Sequence, residues 1–153
     1  MSYQIRVARE SDLDQIMQIE KASFGSDSWS KPNMKSELLA RHTTYLVADE
    51  NNEVIGYAGL SKLASSTTAD IQTIAVSDSH RGLGIGRALI QNLLGYAKEQ
   101  KAKEVFLEVR EDKPIPQSLY KSLGFLTIDR RENYYQPDGV AAIVMRLELG
   151  SEK

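Results

Sequence analysis

The chain has 153 residues, a formal net charge of −2 and no cysteine, and 41% of its residues are hydrophobic. This length and composition predict a single globular domain, residues 1–153, with its own core. The absence of a basic excess argues against nucleic-acid binding, and the absence of cysteine excludes disulfides and thiol nucleophiles. The polar N-terminus is unlike a secretion signal, and no apolar run is long enough to cross a membrane, so we expect a cytoplasmic protein without a membrane partner.

Hydrophobic periodicity predicts the elements of the first half of the chain. An alternating strand at 3–8 precedes two helices, the first capped by Ser11 and the second by Ser30, with Trp29 in the loop between them. Three further strands follow, the first two joined by an Asn-Asn hairpin. These strands are predicted at 43–49, 53–63 and 69–76.

The second half begins with a glycine turn and a long amphipathic helix at 84–99. A strand at 103–110, a short helix ended by Gly124 and two strands on either side of the segment 134–139 complete the chain. The strand–helix–strand crossover requires a parallel pair, whereas the hairpins require antiparallel pairs. The expected fold is therefore α/β (α+β), with a mixed central sheet of about seven strands and four helices on both faces.

The most informative segment is the glycine turn, in which Gly82, Gly84 and Gly86 alternate after Arg81. The spacing fits neither the dinucleotide fingerprint nor the P-loop. A glycine turn that opens a helix nevertheless presents main-chain N–H groups at the positive end of the helix dipole. Such a turn predicts an anion site suited to a pyrophosphate, to which Arg87 can add a cation.

This R-x-x-G-x-G pattern after a strand resembles the acetyl-CoA signature of the GNAT N-acetyltransferases, and the element order matches that fold from 3 to 149. The stretches "TIAVSDSHRGLGIGRALI", "LEVR", "LYKSLGF" and "RENYYQPDGVAAIVMRLEL" resemble more narrowly the bacterial ribosomal-protein-alanine N-acetyltransferases. The resemblance implies a sheet splayed between its fourth and fifth strands and acetyl-CoA as co-substrate. It also implies main-chain contacts to coenzyme A from Ile74, Ala75, Val76, Gly82, Leu83, Gly84, Ile85, Gly86 and Arg87.

The resemblance also assigns catalytic roles. Glu108 corresponds to the general base and Tyr120 to the acid that protonates the leaving thiolate. A base is needed because an α-amine with a pKa near 8 must lose a proton before it attacks a thioester. Asp70, at the start of the fourth strand, is a competing base, and Glu108 is alternatively a solvated strand residue beside Arg110.

Other positions leave alternatives open. Lys113 stands where the family often has an asparagine that contacts coenzyme A. Trp29 is either a groove residue or a partly buried anchor. Tyr134 and Tyr135 are expected beside the same groove, but only one should face it because neighbouring strand residues point to opposite faces.

The two histidines, His42 and His80, have no carboxylate at metal-ligand spacing, so no metal site is expected and both are interpreted as solvated. The resemblance implies direct transfer of acetyl to an amine, most simply the N-terminal α-amine of a ribosomal protein. Two alternatives remain: an acetyltransferase for a small amine, and a module that binds acyl-CoA without turnover.

Overall fold

The computed structural model describes residues 2–150, so the outermost residues of the predicted 1–153 domain lie outside it. Within the described range the strands and helices follow the predicted order. The strands are β1 (Gln4–Val7), β2 (Thr43–Glu50), β3 (Glu53–Ser61), β4 (Thr68–Val76), β5 (Glu104–Arg110), β6 (Leu126–Tyr135) and β7 (Val140–Glu148). The helices are α1 (Leu13–Phe24), α2 (Lys31–Leu39), α3 (Ile85–Glu99) and α4 (Pro114–Ser122).

The strands of residues 2–150 form one seven-stranded sheet in the order β1-β2-β3-β4-β5-β7-β6. Strands β4 and β5 are parallel and are joined by the α3 crossover, whereas the other neighbours are antiparallel. The predicted mixed sheet is confirmed.

Helices cover both faces of this sheet, as predicted. On one face α3 buries Ile85, Leu89, Ile90 and Leu93 in a cluster that also contains Tyr120 of α4. On the other face a second cluster joins the apolar stripe of α1 and Met34 of α2 to strand residues. The two layers leave the ends of β4 and β5 between them.

The structure corrects the start of the first helix. Ser11 lies inside a short 3-10 turn, and Asp12 organises that turn by accepting from the Arg9 N–H at 2.7 Å. The same carboxylate binds Arg6 at 2.8 and 2.9 Å. A carboxylate that is also paired with a guanidinium accepts the Arg9 N–H more strongly than a serine hydroxyl would. Asp12 rather than Ser11 is therefore the acceptor at the start of the helical segment. Ser30 caps α2 as predicted.

Strand β4 separates from β5 after a short stretch of pairing. The parallel pairing ends at Asp70–Phe106. Immediately afterwards the register of β4 against β3 shifts between Gly59 and Leu60, which leaves Gln72 as an extra residue on β4. A bulge of this kind bends and twists its strand. It directs the rest of β4 away from β5 and produces the predicted splay.

A close packing contact stands next to this bulge. Tyr45 lies opposite Gly59 in the β2–β3 pair, and its ring occupies the space where a Cβ of residue 59 would be. The Tyr45 hydroxyl donates to Gln72 Oε1 at 2.7 Å. The glycine therefore lets an aromatic ring cross β3 and hold the side chain of the bulged residue.

We expect Gly59→Ala to lower the free energy of unfolding by about 1–3 kcal/mol, because the new methyl overlaps the buried Tyr45 ring. Gly95→Ala is the matched control, since a Cβ at this exposed position of α3 meets nothing within 4 Å. It should be neutral or stabilise by up to about 1 kcal/mol through helix propensity. Chemical denaturation measures both, and equal effects of the two substitutions would contradict the packing argument.

Candidate active site

The part of β4 beyond the bulge has an open edge toward β5. The Ser77 N–H donates to the Ile55 carbonyl at 2.9 Å, so Ser77 is bonded to β3. Bonded and non-bonded positions alternate along an antiparallel pair. Ile74 and Val76 therefore direct their main-chain N–H and C=O groups into the gap, and the Val76 carbonyl accepts from Arg81 Nε at 3.3 Å. An extended ligand can pair with this edge as a strand would.

The side chains of the same segment anchor it to both layers. Ala75 is buried in the cluster beneath α1, whereas Ile74 and Val76 are partly buried against the α3 cluster. The backbone of the open edge is therefore held in place from both faces.

The glycine turn carries free amides into the same gap. Gly82 and Gly84 have φ values of 77° and 82°, in the left-handed region that favours glycine. Among the described residues, no acceptor bonds the main-chain N–H groups of 82–87, and the first helical bond runs from the Ala88 N–H to the Gly84 carbonyl at 3.0 Å. These free N–H groups stand at the N-terminus of a long helix, which is a favourable place for an anion.

Two arginines brace this turn. Arg81 pairs with Asp78 at 3.0 Å on the outer side of the turn. Arg87 Nη2 donates to Ser122 Oγ at 2.7 Å and so ties α3 to α4. The Arg87 guanidinium is thus engaged by α4.

Glu108 lies on β5 on the other side of the gap. Its carboxylate accepts from the Tyr134 hydroxyl at 2.6 Å and pairs with Arg131 Nη1 at 3.1 Å. Its side chain is 32% exposed, so it can be reached from solvent. The sequence placed Glu108 beside Arg110 and left open whether the two pair. The partner is Arg131 from β6, and Arg110 binds other carboxylates.

Asp70, the competing base, lies at the last paired position of β4, where the gap begins. Desolvation raises the pKa of its carboxyl above the usual value, and the negative charge of Glu108 adds to this effect. The charge of Glu108 is therefore felt at Asp70, and both residues are exposed to solvent.

Tyr120 of α4 is buried and packs edge-to-face on Phe125, with the ring centroids 6.1 Å apart. Its hydroxyl has no hydrogen-bond partner within residues 2–150. Burial, and to a lesser degree Tyr135, raises the pKa of this phenol above 10. Burial also raises the pKa of Tyr135 to about 12, with a contribution from Glu108. Tyr135 is therefore electrostatically coupled to both predicted catalytic residues.

The expectation that only one of Tyr134 and Tyr135 faces the groove is wrong. Both lie in β6, which is irregular between Arg131 and Tyr135, and Asn133 there has a φ of 52°. The irregularity breaks the alternation of side chains. Tyr134 consequently reaches Glu108, while the Tyr135 ring packs 5.1 Å from the Tyr134 ring.

A buried carboxylate escaped the sequence analysis. Glu20 of α1 is 1% exposed and accepts from the Trp29 N–H at 2.9 Å, from the Thr73 hydroxyl at 3.2 Å and from the Tyr57 hydroxyl. It thereby fixes the loop between α1 and α2 to β4. Its place in the apolar stripe of α1, three residues after Met17, was the available signal. Trp29 itself is partly buried and packs on the core as an anchor.

The sequence suggested that two prolines reshape the start of α4, but both fit the first turn of a regular helix. Pro114 and Pro116 lie in the first turn of the helix, where their missing N–H groups leave no bond unmade. Lys113 is the exposed residue that precedes the helix. The loop is held instead by Gln117, whose amide donates to the Arg110 carbonyl at 2.9 Å.

His80 is not solvated as expected. It binds Ser77 Oγ at 2.7 Å and Glu50 Oε1 at 3.1 Å, and so connects the glycine turn to the end of β2. Over the described residues, no three side chains of the His, Asp and Glu types are grouped as a metal site would require. Within the same range, no helix has the length and hydropathy needed to span a bilayer.

Comparison with known proteins is consistent with this geometry. Residues 13–125 match the model of the acetyltransferase (GNAT) family. The chain belongs to the GNAT acetyltransferase family. GNAT acetyltransferases use acetyl-CoA.

Individual GNAT proteins are similar over nearly the whole chain. The N-alpha-acetyltransferase RimI of Mycobacterium tuberculosis is 34% identical over 143 residues, which is 92% of this chain and 89% of that protein. The crystal structure of the ribosomal-protein-S18-alanine N-acetyltransferase from Escherichia coli superposes with a TM-score of 0.90 at 26% identity, over 99% of this chain and 97% of the other. The fold is also that of yncA from Salmonella typhimurium, solved with acetyl-CoA, with a TM-score of 0.84 at 22% identity over 100% and 97% of the two chains.

The space in front of the amides yields a test. A Cβ on Gly86 would lie 3.6 Å from Leu119 and 3.8 Å from Val76. Gly86→Ala therefore fits the fold but reduces the space between α4 and the end of β4. We expect the dissociation constant for coenzyme A to rise at least about tenfold, which is about 1.4 kcal/mol, with no loss of thermal stability. Calorimetric titration measures the affinity, with Gly95→Ala as control. Unchanged affinity for Gly86→Ala would place the cofactor elsewhere.

Proposed function

We propose that this chain transfers the acetyl group of acetyl-CoA to the N-terminal α-amine of a protein, with a ribosomal protein as first candidate acceptor. The observation that carries the proposal is the gap between β4 and β5. Free amides and an open strand edge line one side of the gap, and an accessible carboxylate, Glu108, lines the other. The names of the similar proteins from Mycobacterium tuberculosis and Escherichia coli support the choice of acceptor.

In this proposal the main chain holds the donor. The N–H groups of 82–87 bind the diphosphate, and the edge groups of Ile74 and Val76 bind the pantetheine arm. The Val76 N–H points toward the thioester carbonyl and stabilises the negative charge that develops on its oxygen. Because these contacts are main-chain groups, they depend on backbone conformation more than on side-chain identity.

Glu108 then accepts the proton of the acceptor ammonium, and the neutral amine forms the C–N bond to the acetyl carbon. The C–S bond breaks as the tetrahedral intermediate collapses, and Tyr120 donates its proton to the leaving thiolate. The attacking nitrogen loses its second proton as the amide forms, and through water this proton restores the Tyr120 phenol. The proton taken up by Glu108 passes to solvent, so the products are the amide, the free thiol and one proton. No acyl-enzyme is required, because the amine attacks the thioester directly. The reaction takes place in the cytoplasm, where ribosomal proteins are made.

Mass spectrometry of ribosomal proteins from cells with and without this gene tests the acceptor. We expect one N-terminus to lose its acetyl group when the gene is absent, and to regain it when the purified enzyme and acetyl-CoA are added. An unchanged set of ribosomal N-termini would contradict the ribosomal assignment, while turnover of other peptides would still be measured by release of free thiol.

Glu108→Gln keeps the size of the side chain and an oxygen that can accept from Tyr134, but it removes the base and the ion pair with Arg131. We expect kcat to fall about 100-fold or more with a peptide acceptor, while the affinity for coenzyme A is unchanged. Asp70→Asn is the matched variant on the other strand and should lower kcat less than about tenfold. A larger loss for Asp70→Asn would reassign the base.

Tyr120→Phe tests whether Tyr120 is the acid. The pH dependence of the wild-type kcat follows from the burial of this phenol. A raised pKa keeps the phenol protonated below pH 10, so the wild type should show no loss of kcat with rising pH up to that value. The rate should instead rise as the acceptor amine deprotonates near pH 8. We expect Tyr120→Phe to lower kcat about 100-fold across this range. Wild-type kcat in this variant would exclude Tyr120 as the acid.

A further inference from the structure

Arg110 gathers three carboxylates around one guanidinium. It lies at the end of β5, two residues beyond Glu108 and therefore on the same face of the sheet. Its Nη1 binds Asp27 at 2.5 Å, its Nε and Nη2 bind both oxygens of Asp112 at 3.0 Å, and Nη2 also binds Asp138 at 2.7 Å.

The three carboxylates belong to three separate segments. Asp27 lies in the loop between α1 and α2, Asp112 in the turn between β5 and α4, and Asp138 in the turn between β6 and β7. The first of these loops carries Trp29, and the third follows the Tyr134–Tyr135 pair that reaches the Glu108 site. Arg110 binds both loops at the end of β5 that carries Glu108, so in the proposed function these loops are the two walls of the acceptor groove.

Arg110 supplies the polar link between these walls. Among the described residues, no other ion pair or side-chain hydrogen bond joins the segment 24–30 to the segment 133–139. The guanidinium also stacks on Tyr135, with its central carbon 5.2 Å from the ring centroid. The Arg110 and Asp27 side chains are each only 16% exposed, so this pair is shielded from solvent. A shielded, charge-assisted contact such as Arg110–Asp27 fixes geometry better than an exposed one, and the bidentate contact to Asp112 fixes the orientation of the guanidinium.

The link depends on a single positive charge. Three carboxylates share one cation, so without Arg110 the walls would carry like charges that repel one another. Lysine preserves the charge but not the planar fork, because its ammonium cannot bind both oxygens of Asp112 through two parallel N–H bonds and has no flat face to stack on Tyr135. The geometry therefore depends on arginine itself.

We propose that Arg110 is a positioning residue that sets the width of the acceptor groove by holding the α1–α2 loop and the β6–β7 turn together. The effect of Arg110 on acceptor binding rests on the proposed function, whereas its effect on the two loops rests on geometry alone. Arg110 contacts neither the glycine turn nor the open edge of β4, so cofactor binding should not depend on it.

The chain contains a suitable internal control and an internal probe. Arg6 is an equally shielded arginine, 16% exposed, that joins Asp12 and Asp49 at the far end of the sheet. Trp29 is the only tryptophan and lies in the α1–α2 loop, so its fluorescence reports the position of that wall without any substrate.

The experiment measures Arg110→Lys, Asp27→Asn and the double variant that carries both substitutions. Arg6→Lys is measured beside them as the control. For Arg110→Lys we expect a rise of about tenfold in KM for the acceptor peptide, an unchanged dissociation constant for coenzyme A, and red-shifted, more quenchable Trp29 emission. The combined variant should be no worse than Arg110→Lys, because both substitutions break the same contact. Arg6→Lys should lower Tm without moving either the acceptor KM or the emission.

Two results would overturn the inference: Trp29 emission that is the same in Arg110→Lys and the wild type, or acceptor KM values that shift equally in Arg110→Lys and Arg6→Lys. If the wild type acetylates no peptide N-terminus, the proposed function fails. The Trp29 measurement on the same variants then still decides whether Arg110 holds the loops. Asp27→Asn, which keeps the arginine, serves as the milder variant if Arg110→Lys does not fold.

Discussion

The bulge at Gln72 is the constraint on which the rest of the site depends. A regular β4 would continue to pair with β5 beyond Asp70–Phe106, and the main-chain groups of Ile74 and Val76 would be hydrogen-bonded to β5. The extra residue twists the strand away from its neighbour and leaves those groups without a partner in β5. The packing of Tyr45 on Gly59 and its hydrogen bond to Gln72 hold that distortion in place.

The divergence of two parallel strands also separates two kinds of chemistry. The glycine turn follows β4 directly, so the free amides of α3 face the gap from one side and suit an anion. The Glu108 carboxyl group lies on the other side, on β5, where the proposed acceptor ammonium would lose a proton. In the proposed mechanism, a donor with a diphosphate and an acceptor with a cationic amine therefore bind on different sides of one opening, and their reacting atoms meet where the strands part.

Much of this arrangement follows from local sequence signals. The alternation of apolar residues predicts the strands, and the helical spacing around Leu89 and Leu93 predicts α3. The spacing of Gly82 and Gly84 predicts an anion-binding turn, because positive φ values and free helical amides are properties of a few consecutive residues.

The parts that sequence did not predict depend on contacts between distant segments. The pairing of Glu108 with Arg131 requires β6 and β5 to be on either side of β7, and the shared orientation of Tyr134 and Tyr135 depends on an irregularity in β6. The cap supplied by Asp12 rather than Ser11 depends on Arg6, which lies in another element. Arg110 likewise acquires its role because three loops converge on it.

Amide hydrogen exchange of the protein with and without saturating coenzyme A tests the central claim most directly. Slower exchange is predicted at Ile74, at Val76 and throughout 82–87, where no protein acceptor competes for the N–H groups. Ala75, already bonded to β3, should change little. The account would be contradicted if those amides exchanged at the same rate in both states, or if protection appeared instead in the cleft between α1 and the loop after β4, lined by residues such as Gln18 and Ser79.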